Sequence, residues 1–228
     1  MAKLRLVPQT NPLSPAHEDY LKAIYLLNNQ GHRVTNSALA GYLEVSPAST
    51  TNLVKKLGEL GLVQYTPYQS ISLTTQGEQV ALEVLRHHRL LELYLHDKLN
   101  LPWDQVHAEA EKLEHVMSDA LEEAIAAALG NPTTDPHGDP IPTKDGHVEQ
   151  IDGKPLSEAM SNCAYRLVRV LLQDSQRLSY LGDLGLYPNA EITLHKRAPF
   201  NGPLLIEIDG EHHALAHDMA ESLLVTDA

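Results

Sequence analysis

Histidine and glutamate recur through residues 84–117 at spacings that place them on shared helical faces. His88 and Glu92 stand four apart and therefore on one side of a helix. Further on, His107, Glu111, Glu114 and His115 fall within an arc of roughly 100° at 3.6 residues per turn. Val106, Ala110, Leu113, Met117, Leu121 and Ala124 form an apolar stripe beside that arc, while Glu109, Lys112, Asp119 and Glu123 point away from it. The arc thus flanks buried surface. Carboxylates and imidazoles gathered there repel and desolvate one another unless a cation joins them, and a divalent metal is the economical solution. By spacing alone the same residues also read as solvated charges on an amphipathic helix.

The elements that would position this cluster follow from composition and pattern. A chain of 228 residues allows one to two compact domains with a linker. No apolar run approaches the roughly 20 residues of a membrane span. The opening stretch MAKLRLVPQTNPLS lacks the apolar core of a secretory signal. A cytoplasmic protein with no membrane partner is expected. The single cysteine, Cys163, excludes an intramolecular disulfide and fits a reducing compartment. The net charge of −13 is unevenly spread: residues 1–75 hold six Lys and Arg against four Asp and Glu, so the acidic excess lies beyond them. That distribution permits a DNA reader at the N-terminus and attraction of cations elsewhere.

Residues 1–14 read as an arm broken by Pro8, Asn11 and Pro12. Ser14 as N-cap, Pro15 just inside and Glu18 in the first turn predict a helix to about Asn28 that buries Tyr20, Leu21, Ile24 and Leu27. Thr35-Asn36 caps a second helix, Ser37–Leu43. After the turn Glu44-Val45-Ser46, a third runs from Pro47 to Leu60 and stops at Gly61. In this helix-turn-helix, Ala38, Leu39, Tyr42 and Leu43 are expected against Val45, Leu53, Val54 and Leu57. Ser46, Ala48, Ser49, Thr50 and Asn52 open the third helix with small polar groups suited to a major groove, and Lys55 and Lys56 lie one turn on, within reach of phosphates. Alternating runs Val63–Thr66 and Ile71–Thr74 around Pro67-Tyr68-Gln69-Ser70 predict a hairpin wing.

Long helices are then expected over Thr75–Leu99 and Trp103–Leu129, the second stopped by Gly130-Asn131-Pro132. Residues 131–155 hold five prolines and three glycines and read as a linker, with His137 and His147 facing solvent. Strand patterns follow at Tyr165–Leu172, Glu191–Lys196, Leu204–Ile208 and around His213–Leu215, interrupted by a helix at Ser175–Leu184, which suggests a small barrel. His195, His212, His213 and His217 read as surface histidines. The fold class is mainly α with a small β domain.

The order of elements resembles the diphtheria-toxin-repressor (DtxR/MntR) family of metal-dependent bacterial transcription regulators. The residues that carry the likeness are HEDYLKAIY at 17–25, HHRLLE at 87–92, HAEAEKLEHVMSD at 107–119 and DPHGDPIP at 135–142. The resemblance implies a winged helix-turn-helix DNA-binding domain at 1–75, a helical metal-binding and dimerisation domain at 76–140, a linker at 141–155 and an SH3-like, FeoA-like barrel at 156–228. It also implies two metal sites per chain. Asp19, Glu111, Glu114 and His115 match the main one; His88, Glu92 and His107 match an ancillary one, to which Asp174 of the barrel would add a carboxylate. Arg177 stands where the barrel's amide ligand is expected and cannot ligate, leaving Gln176 as a substitute.

Iron-sensing members of that family carry Met and Cys at the positions of Asp19 and Glu111, so the oxygen-rich set here favours Mn(II), with Fe(II) the alternative. Lys22 departs from the manganese pattern, which has a carboxylate there, and argues against a closely paired binuclear site. The expected protein is a homodimeric, metal-activated repressor of metal-uptake genes that binds double-stranded operator DNA and has no catalytic residues. Two rivals remain at this point: a metal-dependent hydrolase using the His/Glu cluster to activate water, and a metal-binding winged-helix interaction module.

Overall fold

The computed structural model describes residues 13–31, 33–66 and 70–228. Most of the expected arm, and Pro67 to Gln69 of the expected wing turn, lie outside the described residues. The chain forms two compact units, Met1–His87 with Lys144–Gly146, and His88–Thr143 with His147–Ala228.

In the first unit, α1 (Pro15–Asn29), α2 (Asn36–Tyr42) and α3 (Pro47–Glu59) start where their caps predict. The Thr35 hydroxyl accepts from the Ala38 N–H at 3.1 Å and the Ser46 hydroxyl from the Ser49 N–H at 3.2 Å, each satisfying a donor that the first helical turn leaves open. Gly31 and Gly61 close α1 and α3 at φ +74° and +71°. Tyr20, Leu21, Ile24, Leu39, Val54, Leu57 and Ile71 make the core. β1 (Val63–Gln64) and β2 (Ser72–Leu73) pair antiparallel as a short wing, after which α4 (Thr75–Leu99) begins.

Two expectations fail here. Tyr42 and Val45 are exposed rather than packed between α2 and α3, on either side of Glu44, which takes a left-handed φ of 54° in the connection. Thr50 does not face a groove: it is fully buried, its hydroxyl 3.0 Å from that of Tyr20 and donating to the Ser46 carbonyl at 3.2 Å.

In the second unit the helix expected over Trp103–Leu129 is broken. α5 (Val106–Leu113) gives way to a single 3₁₀ turn at Glu114–Val116. Met117 is then extended and Ser118 caps α6 (Asp119–Ala128), its hydroxyl accepting from the Leu121 N–H at 3.3 Å. The break resets the helical phase. Val106, Ala110 and Met117 stay buried as the stripe requires, but Leu113, Leu121 and Ala124 come out to solvent, and Ile125 and Ala126 go in instead.

The segment expected as a linker is packed over its first half. Asp135, His137, Gly138, Asp139, Pro140, Ile141 and Pro142 are all buried. The Asp135 carboxylate accepts from the N–H groups of His137 and Asp139, at 2.8 and 2.9 Å, folding the loop on itself. The Val170 N–H then donates to the His137 carbonyl at 2.8 Å. Gly138, at φ +83°, lies so close to the next strand that an added Cβ would sit 2.1 Å from the Val168 carbonyl oxygen. His147, in contrast, is exposed as expected.

β3 (Lys154–Pro155), β4 (Cys163–Val170), α7 (Ser175–Asp183), β5 (Glu191–Arg197), β6 (Leu204–Ile208), β7 (Glu211–Leu215), α8 (His217–Glu221) and β8 (Leu223–Asp227) complete the chain. The strands form one antiparallel sheet in the order β3-β8-β4-β5-β6-β7. Register shifts between Leu167 and Arg169 and between Leu194 and Lys196 bend it around Tyr165, Leu167, Leu178, Ile192, Ile206 and Leu223. Trp103 joins this sheet core from the segment after α4. β3, α8 and β8 went unread in the sequence because their apolar runs are short.

Gly138→Ala is expected to destabilise the second unit by about 2 kcal/mol or more, through the left-handed backbone and the clash together. Urea melting followed by the fluorescence of Trp103, the only tryptophan, measures it. An unchanged midpoint would show that the loop is not clamped to β4.

Candidate metal centre

α4, α5 and the 3₁₀ turn bring six of the sequence-selected residues together. His88 and Glu92 lie one turn apart on α4 and are almost wholly buried. α5 presents His107 and Glu111 one turn apart, and the 3₁₀ turn carries Glu114, also buried. His88 sits at the centre: its Nδ1 is 2.5 Å from Glu114 Oε2 and its Nε2 is 2.9 Å from Glu92 Oε1. His107 Nδ1 lies 2.9 Å from the same Glu92 oxygen and 3.0 Å from His88 Nε2. Glu111 Oε1 stands 3.8 Å from both His88 Nδ1 and His107 Nε2. His115 Nε2 lies 3.4 Å from Glu114 Oε1, so Glu114 turns one oxygen to each histidine.

These donors fit a divalent cation. His88 Nε2, His107 Nδ1 and Glu92 Oε1 form a nearly equilateral triangle of 2.9–3.0 Å. Neighbouring donors of an octahedral site stand about 3 Å apart when bonds are about 2.1 Å. Two imidazoles and one carboxylate on one face are a recurring open site for first-row metals. A second donor group, His88 with Glu111 and Glu114, shares the same imidazole.

Asp174, the residue expected from the barrel, does not join this centre. Asp174 instead caps α7, its carboxylate accepting from the Arg177 N–H at 2.9 Å, and it belongs to no group of convergent metal donors among the described residues. Arg177 points to Asp218, at 3.9 Å, and Gln176 is exposed. Asp19 and Lys22 lie on α1 in the first unit, the former half-buried and the latter buried.

Behind Glu92 lies a buried polar layer that the linker reading missed. His137 Nδ1 is 3.8 Å from Glu92 Oε2, and its other N–H donates to the Trp103 carbonyl at 3.1 Å. The indole of Trp103 stacks on the imidazole with ring centroids 5.3 Å apart. Arg89 donates to the Pro140 carbonyl at 2.5 Å and to Asp139 at 3.2 Å, and Arg169 of β4 pairs with the same Asp139. Burial alone would raise the Glu92 carboxyl, but the charge of His88, hydrogen bonds from His107 and His88 and the nearby His137 hold it well below the usual carboxylate range. Asp135 moves the other way, pushed well up by burial and by the nearby Asp139 and Glu92. For His137, burial works against the charged form, yet the nearby Glu92 carboxylate wins and raises it to about 9. The available signal was DPHGDPIP itself, since three prolines among Asp, His and Gly make a poor free spacer.

Matches to family models tile the same chain. "Iron dependent repressor, N-terminal DNA binding domain" covers residues 12–71, "Iron dependent repressor, metal binding and dimerisation domain" covers 74–143, and "FeoA domain" covers 154–227. This chain belongs to the DtxR/MntR family of metal-dependent transcriptional repressors. The iron-dependent repressor IdeR of Mycobacterium leprae is 31% identical over 227 residues, spanning 94% of this chain and 98% of its own length. The diphtheria toxin repressor of Corynebacterium glutamicum is 31% identical over 219 residues, 91% of this chain and 94% of that one. Among solved structures, a manganese-dependent transcriptional repressor in complex with manganese superposes with a TM-score of 0.85 at 34% identity, covering 93% of this chain and all of that one. As a DtxR/MntR member the chain is a DNA-binding regulator and not an enzyme, which removes the hydrolase rival. Among the described residues no helix is long and apolar enough to cross a membrane.

In metal-free protein the His137 imidazole is expected to titrate at about 9. Its folded-state value lies above the unfolded value of about 6.5. Its contribution to stability is therefore complete below about pH 6.5 and lost as pH rises through 9. A histidine side-chain NMR titration measures this, and a midpoint near 6.5 would contradict the charge pairing with Glu92.

Proposed function

We propose that this chain is a Mn(II)-activated homodimeric repressor acting at operators of metal-uptake genes. The observation that carries the reading is the donor set. Every residue matched to a metal site is a carboxylate or an imidazole, with no sulfur, and hard oxygen-rich sites suit Mn(II) better than thiolate-seeking ions. The 34%-identical manganese-dependent repressor supports the same choice.

Asp19 of α1 together with Glu111, Glu114 and His115 would hold the main ion, as the family likeness implies, and His88, Glu92 and His107 a second. Bound there, a divalent cation supplies the positive charge that lets several carboxylates share one buried edge. The residues do the rest. Glu114, fixed in its 3₁₀ turn, and Asp19, fixed on α1, would be held together, restraining α1 and the reading head built on it. Leu113, Val116 and Leu121 are exposed along one short stretch beside the centre, with Val116 76% accessible, which suits a surface covered by a second copy. Two such copies would place two α3 helices about one DNA turn, roughly 34 Å, apart. On α3, Ala48, Ser49, Asn52, Lys55 and Lys56 stand outward while Thr50, Val54 and Leu57 pack inward. Ser46 caps the helix and its hydroxyl also meets that of Ser49 at 2.8 Å, so Ser49 would have to turn from that contact to join Asn52 in reading bases.

The decisive experiment is operator binding titrated with Mn(II), Fe(II), Co(II) and Zn(II) at fixed protein. Under anaerobic conditions Mn(II) should give the tightest operator binding of the four at saturation, even where later metals bind at lower free concentration; tighter operator binding with Fe(II) would reassign the metal. Protein that shifts no promoter DNA with any of the ions would favour the interaction-module reading. Asp19→Ala should leave folding intact and abolish metal-dependent operator binding; Mn(II)-dependent binding at parental affinity would refute the link between α1 and the centre. Lys55→Ala should weaken all DNA sequences alike and reduce the salt slope by about one, whereas a loss confined to one sequence would make Lys55 a base reader.

A further inference from the structure

The outer face of the C-terminal sheet carries a second gathering of metal-ligating side chains, remote in sequence from the helical centre. His195, Glu207 and His212 come from three adjacent strands, β5, β6 and β7, and present one donor atom each within 4.8 Å of one another. Their convergence follows from register. Glu207 pairs with His212 on β7 and with Thr193 on β5, so these three residues share a face. The bulge between Leu194 and Lys196 leaves His195 as the unpaired extra residue on β5, and such positions commonly re-aim a side chain. The result is His195 Nε2 at 2.7 Å from Glu207 Oε2, with the His212 ring edge-on to His195 at a centroid distance of 5.0 Å.

We propose that His195, Glu207 and His212 form a distinct binding site for a borderline divalent ion of the Zn(II) class. A single histidine would satisfy Glu207 as a surface ion pair; here a second imidazole from the neighbouring strand closes on the same point. Two imidazoles and one carboxylate suit Zn(II), which takes nitrogen and oxygen donors at about 2.0–2.2 Å and tolerates three protein ligands with water in the remaining position. The affinity of such a nitrogen and oxygen set rises from Mn(II) toward the later first-row metals, so Zn(II) outcompetes Mn(II) there. His195 and Glu207 keep about a third of their side-chain surface accessible, leaving the approach open to solvent. The inference is independent of which metal fills the helical centre.

Full-length protein dialysed against buffered micromolar Zn(II) tests this by metal analysis. His195→Ala and His212→Ala are each expected to bind one equivalent less per chain than the parent, and Glu207→Gln to weaken that equivalent at least tenfold. Unchanged stoichiometry in both alanine variants overturns the proposal. Histidine side-chain NMR of the parent gives an independent reading free of any folding defect. His195 and His212 resonances should move together on adding Zn(II), and signals that stay in place up to millimolar Zn(II) overturn the assignment as well.

Discussion

One imidazole between two buried carboxylates governs this molecule. His88 faces Glu92 through one nitrogen and Glu114 through the other, and all three side chains are nearly inaccessible to water. Both ring nitrogens of His88 lie within hydrogen-bond distance of a carboxylate, so the imidazole ties the two acids together. Buried charge of this kind is costly unless every member is paired, and removing one partner leaves the others uncompensated.

The break in the helix after Leu113 serves the same arrangement. Continued α-helix would keep Glu114 in the register of α5; the 3₁₀ turn instead takes Glu114 inward and leaves Val116 outward. Ser118 then restarts the helix with its own cap, so the interruption leaves few backbone groups unserved. The phase jump leaves Leu113 and Leu121 on the surface, where a folded monomer alone gains nothing from them. Buried acid and exposed leucine are two sides of one local decision.

Much of this was legible in the chain because it rests on local rules. Ser14, Thr35 and Ser46 announce helix starts, Gly31 and Gly61 announce stops, and the spacing of His88, Glu92, His107 and Glu114 gathers those residues as read. What stayed hidden depends on tertiary contact. Thr50 belongs to a polar run by type, and only the approach of Tyr20 across the core shows that its hydroxyl points inward. Asp174 carries ligand chemistry, yet a helix N-terminus next to it claims the carboxylate first. DPHGDPIP has the composition of a tether, and its burial comes from partners on α4 and β4 that no window of neighbouring residues contains. The convergence of His195 with His212 needed a bulge that pairing alone defines.

The loop around Gly138 also changes what the sheet is for. Its backbone is hydrogen-bonded to β4 at Val170, its His137 leans on Glu92, and Trp103, whose carbonyl receives that histidine, is itself part of the sheet's core. Composition would put a hinge there, yet the mechanics are those of a strut. Load applied to β4 by anything that grips the sheet has a route through one glycine and one histidine to the buried carboxylate of Glu92.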